Sequence, residues 1–162
     1  TIWSSDLSRD LRGSADVVAT PVVADGVVYT AAFARGPVAV NAEDGTILWR
    51  GSRFGCSTPL LFRDRLLVST AEGELLGLDN RDGSEVFVTR LTSEALYRPV
   101  RIDDRVIVGG DIGVWLIDGD DGHPLQLLTV PLGVKNAPEV RGRRFYFVGG
   151  GGTINAVDLM PR

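Results

Sequence analysis

The sequence predicts an all-β fold built from repeated units, and its composition and spacing both indicate this. The 162 residues include 20 glycines and 8 prolines, which suits many tight turns between short strands and does not suit a helical bundle. The prolines Pro21, Pro59, Pro99 and Pro138 recur at intervals of 38, 40 and 39 residues. An internal period of this length is typical of a repeat architecture.

Two further series share this period. Asp-Gly pairs begin at Asp44, Asp82 and Asp121, in steps of 38 and 39. A third series consists of Asn41, Asp79, Asp118 and Asp158, in steps of 38, 39 and 40. Because three independent markers agree, the chain is expected to contain four copies of one structural unit.

Each unit contains four short β-branched runs separated by turns. In the first unit the runs are Pro21 to Ala24, Val27 to Thr30, Val38 to Asn41 and Thr46 to Trp49. The first turn is Asp25-Gly26, and its expected equivalents are Asp64-Arg65, Asp104-Arg105 and Gly142-Arg143. Four antiparallel strands in a period of about 39 residues predict the blade of a β-propeller.

The two ends of the chain do not coincide with the ends of a unit. Thr1-Ile2-Trp3 is similar to the fourth strand of the first unit, and Ile154 to Asp158 is a third strand. The sequence therefore predicts 16 strands in one domain, 1–162, with the N-terminal strand completing the last blade, so that no long edge stays unpaired. The expected blades are 17–55, 57–95, 97–133 and 136–160 plus 1–7, with an extra loop at about Ser8 to Asp16.

The run Val38 to Trp49 resembles the tryptophan-docking repeat of PQQ-type (quinoprotein-like) propellers. That repeat has the pattern Ala-x-Asp-x-x-Thr-Gly-x-x-x-Trp. Ala39, Gly45 and Trp49 match it, while Asn41 and Asp44 replace Asp and Thr. The later units keep the Asx and Gly positions but carry Gly77 with Phe87, and Leu116 with Gln126, while Ala156 opens the fourth. The residues implied in structural docking are Trp3, Trp49, Phe87, Gly45, Gly83, Gly122, Asp79, Asp118 and Asp158.

The resemblance implies a non-catalytic propeller module that binds a protein, peptide or small ligand. It implies a periplasmic or otherwise extracytoplasmic scaffold, or the sensor domain of a larger polypeptide such as a bacterial receptor kinase. The alternative is a fragment of a PQQ-dependent dehydrogenase. A working quinoprotein is expected to offer calcium-binding carboxylates, a stacking Trp, adjacent cysteines and a catalytic Asp, yet Cys56 is the single cysteine. We therefore expect that the chain is not an enzyme and that it binds no cofactor and no metal.

Other candidate chemical groups have simpler structural explanations. Asp118 to Asp121 lacks the spacing and terminal Glu of an EF-hand, and Gly149 to Gly152 lacks the Lys-Ser/Thr of a phosphate loop. Trp115 is expected in the core. His123 follows a turn and is expected to be exposed, and Cys56 lies far from it in the sequence. No nucleophile elbow of the form Gly-x-Ser-x-Gly is present.

Charge and hydropathy limit the partners. The net charge of −4 argues against nucleic acid, and no apolar run reaches about 18 residues, so no membrane insertion is expected. The sequence as given has no signal segment.

First strands are expected to line the central channel, whose mouth is a candidate ligand site. The residues proposed for that mouth are Arg53, Thr58, Arg98, Lys135 and Asn136. Because related propellers have seven or eight blades, four blades predict self-association into a larger ring, as a homodimer. A closed four-blade ring and an excised segment of a longer propeller remain open.

Overall fold

The computed structural model describes residues 1–7, 19–32 and 35–160, and these residues form fifteen β-strands. The first four are β1 (Val22–Ala24), β2 (Val27–Ala32), β3 (Gly36–Asn41) and β4 (Ile47–Arg50). The next four are β5 (Leu60–Phe62), β6 (Arg65–Ser69), β7 (Glu74–Asp79) and β8 (Glu85–Arg90). The third set is β9 (Val100–Ile102), β10 (Arg105–Gly109), β11 (Gly113–Ile117) and β12 (Pro124–Thr129). The last three are β13 (Glu139–Arg141), β14 (Arg144–Val148) and β15 (Ile154–Asp158).

The strands form four antiparallel sheets in chain order, which confirms the predicted propeller fold. The first three sheets are β1 to β4, β5 to β8 and β9 to β12, and each pairs its strands consecutively. We call them the first, second and third blades. Within residues 1–7, 19–32 and 35–160, the fourth blade contains β13, β14 and β15. Thr1 to Leu7 forms no strand, and the predicted pairing of the N-terminal segment with β15 is not made in this single chain.

Two-residue turns join the first and second strands of each blade. Asp25 and Gly26 have φ of 48° and 75°, which is the left-handed pair that a tight hairpin requires. In the second and third blades the turns are Arg63-Asp64 and Asp103-Asp104, because β6 and β10 already begin at the following arginines. The sequence had placed these two turns one residue too late, whereas Gly142-Arg143 lies where it was predicted.

Three buried clusters hold the blades face to face. One joins the first blade to the second through residues such as Ala39, Trp49 and Leu76. The other two join the second blade to the third and the third to the fourth. The first strands β5, β9 and β13 are neighbours. Among the described residues, no buried cluster joins the fourth blade to the first, so the blades form an open arc.

The extra loop predicted at Ser8 to Asp16 lies outside the described residues. Within the described part of the chain, no helix has the length and hydrophobicity that a membrane-spanning helix needs.

Candidate functional site

The turns that receive the docking side chains are built alike in three blades. The side-chain oxygen of Asn41 accepts the backbone N–H of Glu43 at 2.8 Å, and Asp79 accepts that of Arg81 at 2.9 Å. Asp118 does the same with Asp120 at 3.0 Å. These Asx turns hold the backbone so that the glycine four residues on adopts φ between 74° and 77° in every case.

Trp49 docks on the turn of the second blade. Its indole Nε1 donates to the carbonyl of Asn80 at 3.0 Å, and its ring lies against Gly83. Tyr29 packs beside it with ring centroids 6.1 Å apart, and the Tyr29 hydroxyl donates to the same Asn80 carbonyl at 3.3 Å. Burial, with Asp25 and Asp79 nearby, raises the pKa of Tyr29, so its hydroxyl stays a donor at neutral pH.

Trp3 makes the same contacts with the turn of the first blade. Its Nε1 donates to the carbonyl of Ala42 at 2.9 Å, and its ring lies against Gly45. The Ser5 hydroxyl donates to the Gly45 carbonyl. Thr1 to Leu7 therefore lies where the fourth strand of a preceding blade would lie, and the docking role predicted for Trp3 has the expected geometry.

The aromatic series ends at the third blade. Phe87 lies against Gly122, and the Thr89 hydroxyl donates to the Gly122 carbonyl at 2.9 Å. In the third blade, Gln126 occupies the position that Trp49 and Phe87 hold in the first two blades. Beside Gln126, a cleft of about 760 Å³ separates the third and fourth blades. The cleft is lined by apolar side chains that include Val114, Leu128 and Phe145. The replacement of the docking aromatic residue by Gln126 predicts a weaker joint between these blades, and the cleft lies at that joint.

Arg143 binds the Leu159 carbonyl from within the fourth blade. Its Nε donates to this carbonyl, one residue after Asp158, at 3.1 Å, whereas Trp49 donates to the carbonyl of Asn80 from the neighbouring blade. Asp158 itself forms a paired ion contact with Arg144 at 2.7 Å, and this guanidinium lowers the pKa of the Asp158 carboxyl. Asp158, the last residue of β15, therefore forms an ion pair with β14.

The residues predicted for the channel mouth are mostly used within the fold. The Thr58 hydroxyl accepts the backbone N–H of Thr20 at 3.1 Å, which links the first two blades. The side-chain oxygen of Asn136 accepts the N–H of Val148 at 3.0 Å. Arg98 pairs with Glu139 at 2.7 Å. Lys135 is exposed and forms no ion pair with any residue that the structure describes.

Arg53 lies between two carboxylates. Its guanidinium contacts Glu85 at 2.9 Å and Glu74 at 3.6 Å, and this pairing lowers the pKa of Glu85. The positive charges expected at the mouth are thus largely offset, with Lys135 as the remaining cation. The structure gives these five residues definite places, and their binding of a ligand stays a prediction.

The other candidate groups lie in structural positions. Trp115 is buried in the cluster between the second and third blades, and His123 is exposed after its turn. The Cys56 thiol is buried and donates to the carbonyl of Arg53 at 3.3 Å, and burial raises its pKa to about 12. Gly149 to Gly152 forms the turn between β14 and β15. The described residues contain no group of three or more His, Cys, Asp or Glu side chains that could hold a metal ion.

The repeated docking turns agree with the comparison to known families. Residues 34–126 match the family described as outer membrane protein assembly factor BamB. The chain belongs to this PQQ-type propeller repeat family.

Relatives in the family include both enzymes and assembly factors. Quinohemoprotein alcohol dehydrogenase ADH IIB of Pseudomonas putida is 29% identical over 182 aligned residues, which cover 90% of this chain and 26% of that protein. Outer membrane protein assembly factor BamB of Salmonella typhimurium is 30% identical over 115 residues, which cover 64% of this chain and 29% of that protein. The chain therefore spans less than a third of the length of these relatives.

Solved structures share the propeller fold. BamB of Moraxella catarrhalis superimposes with a TM-score of 0.77 and 18% identity, over 89% of this chain and 44% of that one. The computationally designed protein Ika4 superimposes with a TM-score of 0.80 and 13% identity, over 99% of this chain and 98% of that one. At these identities the likeness concerns the fold alone.

Proposed function

We propose that this chain is a non-catalytic propeller module that binds a protein, peptide or small ligand outside the cytoplasm, as a scaffold or as the sensor domain of a larger protein. The observation that carries the proposal is the family match, whose description is that of an outer membrane assembly factor. The placement of the side chains supports it, because the polar groups at the mouth and the turns bond to other parts of the fold. Lys135 is the mouth residue left to meet a ligand.

A fragment of a PQQ-dependent dehydrogenase is the second candidate. The 29% identity to the Pseudomonas putida alcohol dehydrogenase over 90% of this chain favours it. The single Cys56 does not, because it has no adjacent cysteine and its buried thiol has a raised pKa.

Titration with PQQ and Ca²⁺ separates the two functions. The Pseudomonas putida dehydrogenase serves as the positive control, and the absorbance of the quinone reports binding. We expect no stoichiometric uptake of PQQ by this chain at concentrations that load the control. Stoichiometric binding would contradict the module and favour the dehydrogenase fragment.

We also propose that the chain associates with a second copy to complete a larger ring. The fourth blade supports this, because no strand among the described residues pairs with the outer edge of β15, and the outward side chains of this blade are exposed. An unpaired sheet edge with apolar neighbours is a surface that proteins usually cover. A particle of two chains in solution is the expected result, and a particle of one chain at every concentration would contradict it.

A further inference from the structure

The outward face of the fourth blade repeats the face that the first blade buries against the second. On that first-blade face, Tyr29 lies opposite Ala39 in the β2 to β3 register. On the fourth blade, Tyr146 lies opposite Ala156 in the β14 to β15 register. The two pairs occupy equivalent positions in their blades and have the same side chains.

The two faces differ in what covers them. Tyr29 and Ala39 are 4% and 0% exposed, because Trp49 and the second blade lie over them. Tyr146 is 37% exposed, Ala156 is also exposed, and Ile154 on the same strand is 81% exposed. The fourth blade therefore presents one half of a blade joint without its partner.

The other half of such a joint lies at the opposite end of the arc. Trp3 is docked on the first blade through Ala42 and Gly45, just as Trp49 is docked on the second blade through Asn80 and Gly83. Trp49 belongs to β4 and pairs with Ala39, whereas no strand of the described chain pairs with the segment that carries Trp3.

The size of the residue opposite each docking position agrees with this assignment. Ala39 faces Trp49, and Gly77 faces Phe87, whose ring would overlap a Cβ at that glycine. Where the aromatic ring is replaced by Gln126, the facing residue is the larger Leu116. Ala156 is small, so the strand that pairs with β15 is expected to carry an aromatic residue opposite it.

From this repetition we propose that Thr1 to Ser4 of a second copy pairs with β15 as its antiparallel fourth strand, with Trp3 of that copy across from Ala156. The Tyr146 hydroxyl then donates to the Ala42 carbonyl of the second copy, as Tyr29 donates to Asn80. The inference rests on the proposed self-association and specifies the residues at its joint. A second copy is the occupant because this chain's own Trp3 is already docked on the first blade, which shares no buried cluster with the fourth blade in the part of the chain that the structure describes.

The register of the first blade predicts which residues can be cross-linked. Val38 lies opposite Arg50 next to the Ala39 and Trp49 pair, so Asn155 is expected opposite Ser4. Directly opposite residues on antiparallel strands have Cα atoms roughly 4.5–5.5 Å apart, which is within the reach of a disulfide. Ser4→Cys and Asn155→Cys leave Trp3, Tyr146 and Ala156 unchanged.

The experiment mixes a Ser4→Cys chain with an Asn155→Cys chain, both carrying Cys56→Ala, after refolding them together from urea. We expect a disulfide-linked two-chain band under oxidising conditions. Thr153→Cys replaces Asn155→Cys in the control mixture, because a partner two residues along the strand lies roughly 7–8 Å away and is too distant for the bond.

The outcomes separate the joint from self-association itself. A chain that carries both Ser4→Cys and Asn155→Cys is tested beside the mixture. If this chain forms a disulfide within itself and the mixed single variants form none between chains, β15 pairs with the N-terminal segment of its own chain, and the proposal of a second copy is wrong. No link in either sample, with a two-chain mass retained, would overturn this joint and leave self-association intact. No link and a one-chain mass would overturn both, and equal linking by Thr153→Cys would overturn the register.

Discussion

Each aromatic blade joint depends on a glycine that lies under the ring. Gly83 has φ of 74°, and a Cβ at this position would lie 2.5 Å from Cε3 of Trp49. Gly26 has nearly the same φ of 75° in an exposed turn, where a Cβ would meet no atom within 4 Å. A comparison of the same substitution at Gly83 and Gly26 therefore separates the cost of the left-handed backbone from the cost of contact with the Trp49 ring.

Replacement of Gly83 by alanine is expected to destabilise the protein more than replacement of Gly26. Both substitutions force an L-residue into the left-handed region, at a cost of about 1–2 kcal/mol. Gly83→Ala adds an overlap with the Trp49 ring, worth about 1–3 kcal/mol in a packed site. Urea unfolding of both variants at one protein concentration measures the difference, and equal losses would contradict a role for Gly83 under the ring.

Cys56 is expected to be a slowly reacting thiol. Burial raises its pKa to about 12, so almost no thiolate is present in the folded chain at pH 8. We expect iodoacetamide to alkylate the native protein at least about 100-fold more slowly than the same chain unfolded in urea. Because the folded pKa is raised, the stability due to this thiol is present below the unfolded pKa of about 8.5 and is lost as the pH rises above it. Equal alkylation rates in the two states would refute the burial of Cys56.

The docking residues could be predicted from the sequence because their chemistry is local. Asn41 and Gly45 lie four residues apart in one turn, and their pattern recurs with the period of the blades. The neutralised charges at the mouth could not be predicted in this way. Glu85 reaches Arg53 from β8, 32 residues further along the chain, and no spacing rule relates the two positions.

The Asx turn is the element that forms the docking surface of the first, second and third blades. The Asp79 carboxylate accepts hydrogen bonds from the backbone and the guanidinium of Arg81, which hold the pKa of that carboxyl well below its usual value. Asp44 and Asp82 also have lowered pKa values, because each accepts the backbone N–H two residues on. The charged forms of these turns therefore favour the folded state.

Acid is expected to weaken the turns. A carboxyl whose folded pKa is lowered contributes stability above its unfolded pKa of about 3.9, and this stability is lost as the pH falls toward the folded value. The urea midpoint of the protein should therefore fall between about pH 5 and pH 2. Asp79→Asn keeps an acceptor oxygen without a titrating proton, so its midpoint should fall less steeply. The same slope in both proteins would contradict the contribution of Asp79.

The third joint offers a test of the docking element itself. Gln126 lies opposite Leu116, where the other blades place an aromatic ring opposite a small residue. Leu116→Ala with Gln126→Trp should restore that pair and fill part of the cleft, with a gain of about 0.5–2 kcal/mol. Gln126→Trp alone serves as the control, because Leu116 blocks the ring. No gain in the denaturation midpoint of the double variant would contradict the equivalence of the joints.

The four-strand period predicted the blades because turn residues and apolar runs alternate clearly. The predicted start of the second strand was wrong in the two blades where an arginine follows the turn. Arg65 and Arg105 extend β6 and β10 to the turn itself, since their backbones pair across the hairpin with Phe62 and Ile102. The predicted sixteenth strand is not formed by Thr1 to Ser4, for a different reason. Thr1 to Ser4 has the sequence of a fourth strand, but pairing also needs an edge within reach, which the open arc does not supply.

The described residues form an arc, and we propose that its two ends are complementary. One end carries Trp3 docked on the first blade, and the other carries the exposed Tyr146 and Ala156 on the fourth. Two arcs related by a two-fold axis can close a ring in which each copy supplies both halves of a joint. Closure would bury the apolar residues of β15 and pair its free edge.

Light scattering of the purified chain at micromolar concentration tests this account most directly. The expected mass is about twice the 17.4 kDa of one chain, and Ala156→Arg should reduce it to that of one chain by placing a charge under the incoming Trp3. Urea unfolding of the variant checks that its blades remain folded. A wild-type mass near 17.4 kDa at micromolar concentration would contradict the closure of the ring by a second copy.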